Sequence, residues 1–406
     1  MTMMTAIRSA ESEAAKGAGD KLAEARRLLP ADDGLAAFFD ALYAGAVPDD
    51  ILRARPDQLA ALALAVWAEA AKRAPGASHV AALELGHETV LVSINDDRPF
   101  LFDSALAAAI AGGARLRAAF HPILDIGGRH TSVIALVCDS LAPQAREDLL
   151  SSLRETFAQG AAAVRDWKPM LARLAAARGD LDRHPPRLAG RETDISEDLA
   201  FLDWLADNHF TFLGARDYVL AKDGANGILE PVKGSGLGVL ADDAMRVVRD
   251  ARSGERQGLS AEVRAFLDSS DPLIITKSAV RSLVHRRAHM DYIGIKTFGP
   301  DGAFVGERRF VGLFTSSTYA AQARSIPLLR RKIEAVMTAA GLDPKEWTPR
   351  EQRHTFVSVL SDEDMPIEKI SDLVGHKDQT TTETVYRHQI RPVVRYGAEA
   401  MDPHIP

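Results

Sequence analysis

The sequence predicts an α+β protein: split βαβ sandwich units, with a helical segment in front and a small all-α tail behind. Three observations lead there. Residues 1–75 are rich in alanine, and apolar residues such as Leu59, Leu62, Leu64 and Trp67 recur at helix-like intervals. Between about 78 and 180 the pattern runs strand, helix, two strands, helix. Past residue 348, Thr348 to Glu351 and Thr380 to Glu383 are both capping boxes, which open helices.

The elements follow in order. Pro56 opens the clearest N-terminal helix, and Pro75-Gly76 closes it. Residues 89–95, TVLVSIN, alternate as a half-buried strand does. Asn95-Asp96-Asp97-Arg98-Pro99 then turns, 102–111 is helical, and Gly112-Gly113 stops it. Residues 116–124 and 132–138 read as strands around Gly127-Gly128, and 143–164 as a long amphipathic helix. Two prolines, two glycines and many charges mark 179–194 as a linker.

Beyond the linker, 195–208 reads as a helix and 209–214 as a strand. Asn226-Gly227 signals a hairpin between Tyr218-Val219-Leu220 and Ile228-Leu229. Residues 273–276 form a short apolar run. Gly299-Pro300-Asp301-Gly302 joins 291–298 to 304–314 by strong turn chemistry. A helix over 333–340 meets Gly341 and Pro344, a stop signal. In the tail, helices are expected from Pro349 to about Leu360, from Pro366 to Gly375, and around Tyr386. The expected domains are therefore 1–76, 78–180, 190–338 and 341–406.

Composition narrows the function. With 46% hydrophobic and 26% charged residues among 406, the chain has an ordinary globular balance. A net charge of −7 argues against a nucleic-acid binder along its whole length. The single cysteine, Cys138, excludes a disulfide framework and a four-cysteine zinc site, and its apolar neighbours place it in a buried strand. No run approaches the roughly 18 apolar residues of a membrane span. The first residues lack the apolar core of a signal peptide, so a cytoplasmic location without membrane association is expected.

Candidate chemistry in the first 340 residues is thin. The run Gly234-Ser235-Gly236-Leu237-Gly238 would need glycine in place of Val239 to read GxGxxG, and a tight loop is the better reading. His285 and His289 would share a helix face, but their setting is strand-like, where they stand roughly 13 Å apart. No metal and no cofactor is expected. Arg281, Arg286, Arg287, Arg308 and Arg309 could meet an acidic partner, although solvation or internal pairing suits them better.

Two resemblances stand out. Asn95-Asp96-Asp97-Arg98-Pro99-Phe100-Leu101-Phe102-Asp103-Ser104, followed by His121-Pro122-Ile123-Leu124, resembles the first ACT-type domain of the large bacterial NAD-specific glutamate dehydrogenases. Asn208 to Gly214, the glycine run, the stretch from Ile275 to Arg286, Gly306 to Phe310 through Thr315-Ser316-Ser317, and Ile326 to Lys332 resemble the second regulatory segment of the same enzymes. ACT domains often carry Asp-Arg-Pro-Gly after their first strand, the glycine leaving room for an amino-acid effector. Phe100 stands there instead, and its ring would fill that space. In that family the dinucleotide-binding catalytic domain lies far downstream of the segments matched.

From about residue 341 the chain resembles the C-terminal end of tyrosine recombinases, the phage-type integrases. That resemblance makes Arg353 the second catalytic arginine, clamping the scissile phosphate, with His354 after it. His376, in Leu373-Val374-Gly375-His376, would hydrogen-bond the phosphate, and Tyr386 would be the nucleophile. Arg350 stands where that family usually has histidine. Its first arginine and its β-hairpin lysine lie upstream, where this chain is dehydrogenase-like.

The expected function is therefore that of a chimera. A noncatalytic regulatory region of an NAD-dependent glutamate dehydrogenase is joined to a truncated recombinase C-terminus whose active site is incomplete. The alternative is a DNA strand-transfer enzyme using Tyr386, and a third reading is a rearrangement product without an evolved function. The expected partners are DNA, held weakly by the acidic tail, and a second copy through the ACT-like domains.

Overall fold

The computed structural model describes residues 2–188, 191–192, 194–223, 226–242, 269 and 271–339. Four helices lead: α1 (Thr2–Arg27), α2 (Asp33–Tyr43), α3 (Pro48–Arg53) and α4 (Pro56–Lys72). Each start after the first has a local cause. The Asp32 carboxylate accepts the Leu35 N–H at 3.0 Å, and proline sits in the first turn of α3 and α4. Phe38, Phe39, Leu42, Leu59, Leu62, Ala63 and Val66 form the buried face of this layer.

That face covers a sheet. β1 (His79–Leu85) and β2 (Glu88–Asp96) form a hairpin, α5 (Leu101–Ala111) crosses over, and β3 (Leu116–Phe120), β4 (Ile123–Ile126) and β5 (Arg129–Asp139) follow. The order is β1-β2-β5-β3, with β4 also on β5 and every pairing antiparallel. β2 and β3 are thus parallel and separated by β5, which is the split βαβ arrangement expected. The 116–124 run is two strands because it breaks at His121-Pro122. β1 was not legible as a strand.

The alternation in β2 sends Val90, Val92 and Ile94 to the helical layer. Leu91 goes to the other side, where Leu101, Ala105, Ala108, Leu149, Leu153 and Phe157 meet it. The sheet is covered on both faces, so β2 is buried through, not half-buried. Its polar residues follow: Thr89, Ser93 and Asn95 are buried as well.

α6 (Pro143–Arg183) is 41 residues long and contains Pro169. It runs past the expected end at 164 and into the expected linker, because Met170, Leu174, Ala177 and Leu181 are buried along it. After the small pair β6 (Arg187–Leu188) and β7 (Arg191–Glu192) comes α7 (Ser196–Trp204). The second sheet is built from β8 (Phe210–Asp223), β9 (Asn226–Pro231), β10 (Leu237–Gly238), β11 (Leu273–Arg281), β12 (His289–Phe298) and β13 (Phe304–Phe314). Its order is β10-β8-β13-β12-β11, with β9 on β8. The β12–β13 hairpin closes where expected: the Gly299 N–H donates to Ala303 O at 2.8 Å. In the β8–β9 pair Asp223 faces Asn226, so Asn226 and Gly227 lie in the strand, not in the turn.

The described chain closes with α8 (Leu329–Ala339). Two compact units result, one made of 1–195 with 205–316, the other of 196–204 with the chain from 317. In the second, Glu197 of α7 accepts from the Leu328 N–H (3.0 Å) and from Arg330 Nε (2.8 Å) and Nη2 (2.6 Å). The Arg330 hydrogen bond holds the Glu197 carboxyl below its ordinary pKa. No helix among the described residues is long and apolar enough to cross a membrane.

Candidate functional site

The turn between β2 and α5 is the first site the sequence marks. Asp96 is held by Arg73 at 2.6 Å and Arg129 at 3.3 Å. The Arg73 hydrogen bond pulls its pKa below the ordinary 3.8. The Asp97 N–H donates to His130 O at 2.8 Å. Asn95 is fully buried and accepts from Arg98 Nη2 at 3.3 Å. Burial lowers the pKa of the Arg98 guanidinium. His121 bonds with Ser132 Oγ at 2.8 Å and stacks on Phe102, centroids 4.9 Å apart. Burial lowers its pKa too.

Phe100 ends this turn at φ 73°, the left-handed region that a glycine enters freely. Its ring packs on His285, in the loop between β11 and β12, 5.3 Å between centroids, and on the cluster holding Leu213, Val239 and Val284. The sequence marks Phe100 as space-filling, and the structure shows what the ring touches.

The glycine run is a tight loop, filled by the protein itself. Leu237 and Gly238 pair with Ala215 and Gly214 of β8. The Gly238 N–H donates to Asp166 Oδ2 on α6 at 2.8 Å. A Cβ on Gly238 would run into the Leu213 carbonyl, so no phosphate fits against that backbone.

The second sheet carries a buried polar network that the sequence reading missed. On one face Lys296, Glu307 and Tyr218 lie directly opposite one another across three strands, and Gly294, Arg309 and Arg216 form the next row. Glu307 accepts from the Tyr292 hydroxyl and, at 3.0 Å, from Arg309 Nη2. The Arg309 guanidinium lies 3.7 Å from the Tyr218 ring centroid. Burial raises the Tyr292 pKa, and the Glu307 charge adds to it. Gly294 was the available signal, because glycine inside a strand marks a close approach. Here a Cβ would collide with the Glu307 carboxylate.

Of the arginine cluster, Arg281 is exposed and the others are held internally. Arg286 donates to Phe314 O at 2.7 Å, Arg287 to Ser152 and Thr156 of α6, and Arg308 to Asp180. His285 sits in a left-handed turn and His289 begins β12, so they do not share a helix. Among the described residues no three His, Cys, Asp or Glu side chains gather as a metal would require. Cys138 is buried, donates to Thr89 O at 3.3 Å, and burial pushes its thiol up to about 11.

Comparison with known proteins divides the chain. Residues 38–157 match the family "Glutamate dehydrogenase, ACT1 domain", and 313–391 match the "Phage integrase family". An NAD-specific glutamate dehydrogenase of Halomonas elongata is 31% identical over 336 residues, covering 76% of this chain and 20% of its own length. That of Pseudomonas aeruginosa is 32% identical over 197 residues, covering 48% of this chain and 12% of its own. An integrase of Streptomyces ambofaciens is 48% identical over 91 residues, covering 22% of this chain and 24% of its own.

The chain is a chimera.

Its ACT1-matched part runs from the second half of α2 through α3, α4 and the first sheet to the start of α6. The chimera spans about a fifth of the length of the Halomonas dehydrogenase. The integrase match begins at residue 313, at the end of β13, and includes all of α8. Integrase-like sequence thus reaches upstream of the helix stop at Gly341. Arg353, His354, His376 and Tyr386 fall within that match and lie outside the described residues.

Proposed function

We propose that the chimera acts as a regulatory or interaction module without turnover of its own. The observation that carries this is the dehydrogenase-like part. Its one nucleotide-like glycine run is closed by the protein's own backbone and by Asp166. The partners proposed are a second copy through the ACT-like sheet and DNA through the tail, with a cytoplasmic location. Phe100 stands where an amino-acid effector would need glycine. Glutamate and other amino acids at millimolar levels should therefore leave the melting temperature unchanged. A dose-dependent rise would show an open effector site.

The join is proposed near residue 316. The integrase match starts at 313 and the second compact unit resumes at 317. Sequencing an amplicon across codons 305–350 from source DNA tests whether both parents lie on one template.

The second reading is DNA strand transfer through Arg353, His354, His376 and Tyr386, and the 48% identity to the Streptomyces integrase favours it. Tyr386 Oη would attack the phosphorus, breaking the bond to the 5′ oxygen, which leaves as a hydroxyl once protonated, while Arg353 and His376 neutralise the nonbridging oxygens. The family's first arginine and its lysine would have to come from dehydrogenase-like sequence. Losing even one such preorganised donor costs about 10²–10³ in rate. A nicked suicide substrate should thus trap no covalent adduct. An adduct that vanishes in Tyr386→Phe would establish the strand-transfer reading instead.

A further inference from the structure

Phe100 at φ 73° and His285 at φ 66° are both non-glycine residues in the left-handed region, and their rings touch. Such conformations persist only where surrounding contacts over-determine them. Here the ring that supports each comes from the other's loop. Phe100 is the last residue before α5, and its carbonyl accepts the Ser104 N–H at 3.1 Å. Ser104 Oγ in turn accepts the His285 N–H at 2.7 Å. Asp103 Oδ2 lies 3.2 Å from His285 Nδ1.

The loop that presents His285 is itself fixed. The Ser282 N–H donates to Ala288 O at 2.8 Å, and the Ser282 hydroxyl both donates to Val284 O and accepts the Val284 N–H. The Val284 side chain is fully buried among Leu213, Val239 and Met290. Arg287 ties the same loop to α6 through Ser152 and Thr156.

We infer that the loop closed by Ser282 and Ala288 is a conformational latch. It holds the Phe100 turn at the head of α5, so that the first sheet's helix and the β11–β12 connection rearrange together or not at all. The left-handed turn at Phe100 lacks the glycine that would hold it unaided. The left-handed turn at His285 likewise needs the α5 head. A displacement at either end removes the other's support, which is what a two-state coupling element requires.

Hydrogen exchange on the full chain, followed by mass spectrometry, tests this by reciprocity. Phe100→Gly should speed exchange across 286–290 on the order of tenfold, and His285→Gly should do the same across 101–106, the size expected of coupled neighbours. The double variant should exceed the larger single effect by less than about twofold, because one latch cannot open twice. Effects confined to each variant's own segment, or multiplying in the double variant, would overturn the latch. If a glycine variant does not fold, Asp103→Asn and Ser104→Ala carry the same reading at 286–290, segments they do not touch. Unchanged exchange there in both would equally overturn it.

Discussion

Gly294 decides whether the buried row on the second sheet can exist. Its missing Cβ is the space taken by the Glu307 carboxylate, which neutralises Arg309 and receives the Tyr292 hydroxyl. Gly294→Ala should destabilise by about 1–3 kcal/mol through overpacking. Glu307→Ala should cost more, about 3–5 kcal/mol, since it strands a buried guanidinium. Urea unfolding measures both, and a cost for Glu307→Ala below that of Gly294→Ala would refute the ordering. Asp96 predicts a pH dependence. Its folded pKa is lowered by Arg73, so its contribution is present above the ordinary carboxylate range and is lost as pH falls through the lowered value, below about 4. Arg73→Gln should flatten that acid limb when melting temperature is followed against pH. At this scale the sequence was legible where one residue type has one use: Cys138 among apolar neighbours, or glycine in a turn. Phe100 could be seen to break a pattern. His285, 185 positions away, could not be named as its partner, because nothing local to either residue encodes the contact.

Helices and strands were legible where the period was clean. The α5 crossover, the split βαβ order and the β12–β13 hairpin all follow from periodicity and turn residues. α6 was misjudged because its second half is rich in charges and is interrupted by Pro169, and the buried residues among them are sparse. What covers them is tertiary, which outweighs local composition. β1 was missed because its residues are mostly half-buried and show no clean alternation. The glycine run yields an element-scale prediction. Gly238 takes φ 57° and ψ −134°, bonds Asp166 of α6, and lies against the Leu213 carbonyl. Gly238→Ala should therefore destabilise by roughly 1–3 kcal/mol. Because β10 is the edge of the second sheet, the damage should appear first as faster amide exchange at Gly214 and Ala215. Loss confined to the first sheet would contradict the assignment of this loop as a brace between α6 and β8.

For the whole molecule, the question is what the integrase-like portion contributes to the body it follows. The first unit has its own clusters: one between the N-terminal helices and the first sheet, one under α5 and α6, and one on the second sheet. The second unit takes α7 from the dehydrogenase-like part, and Glu197 of α7 grips Arg330 of α8 with paired hydrogen bonds. α8 is therefore structurally committed to α7 even though it falls inside the integrase match. The residues past Ala339 are different in kind. They number 67, a length at which a core of their own is marginal. Truncation after Ala339 should then leave the body's melting temperature within about 2 °C of the full chain, because a change of 1 kcal/mol already moves a unit of this size by about 2–4 °C. Truncation after Ser316 removes Arg330 along with α8 and should lower it further, and Arg330→Ala should reproduce part of that loss. If removal past Ala339 alone drops the melting temperature by more than about 5 °C, the recombinase-like tail is an integral part of the fold, and the two lineages have been built into one cooperative structure.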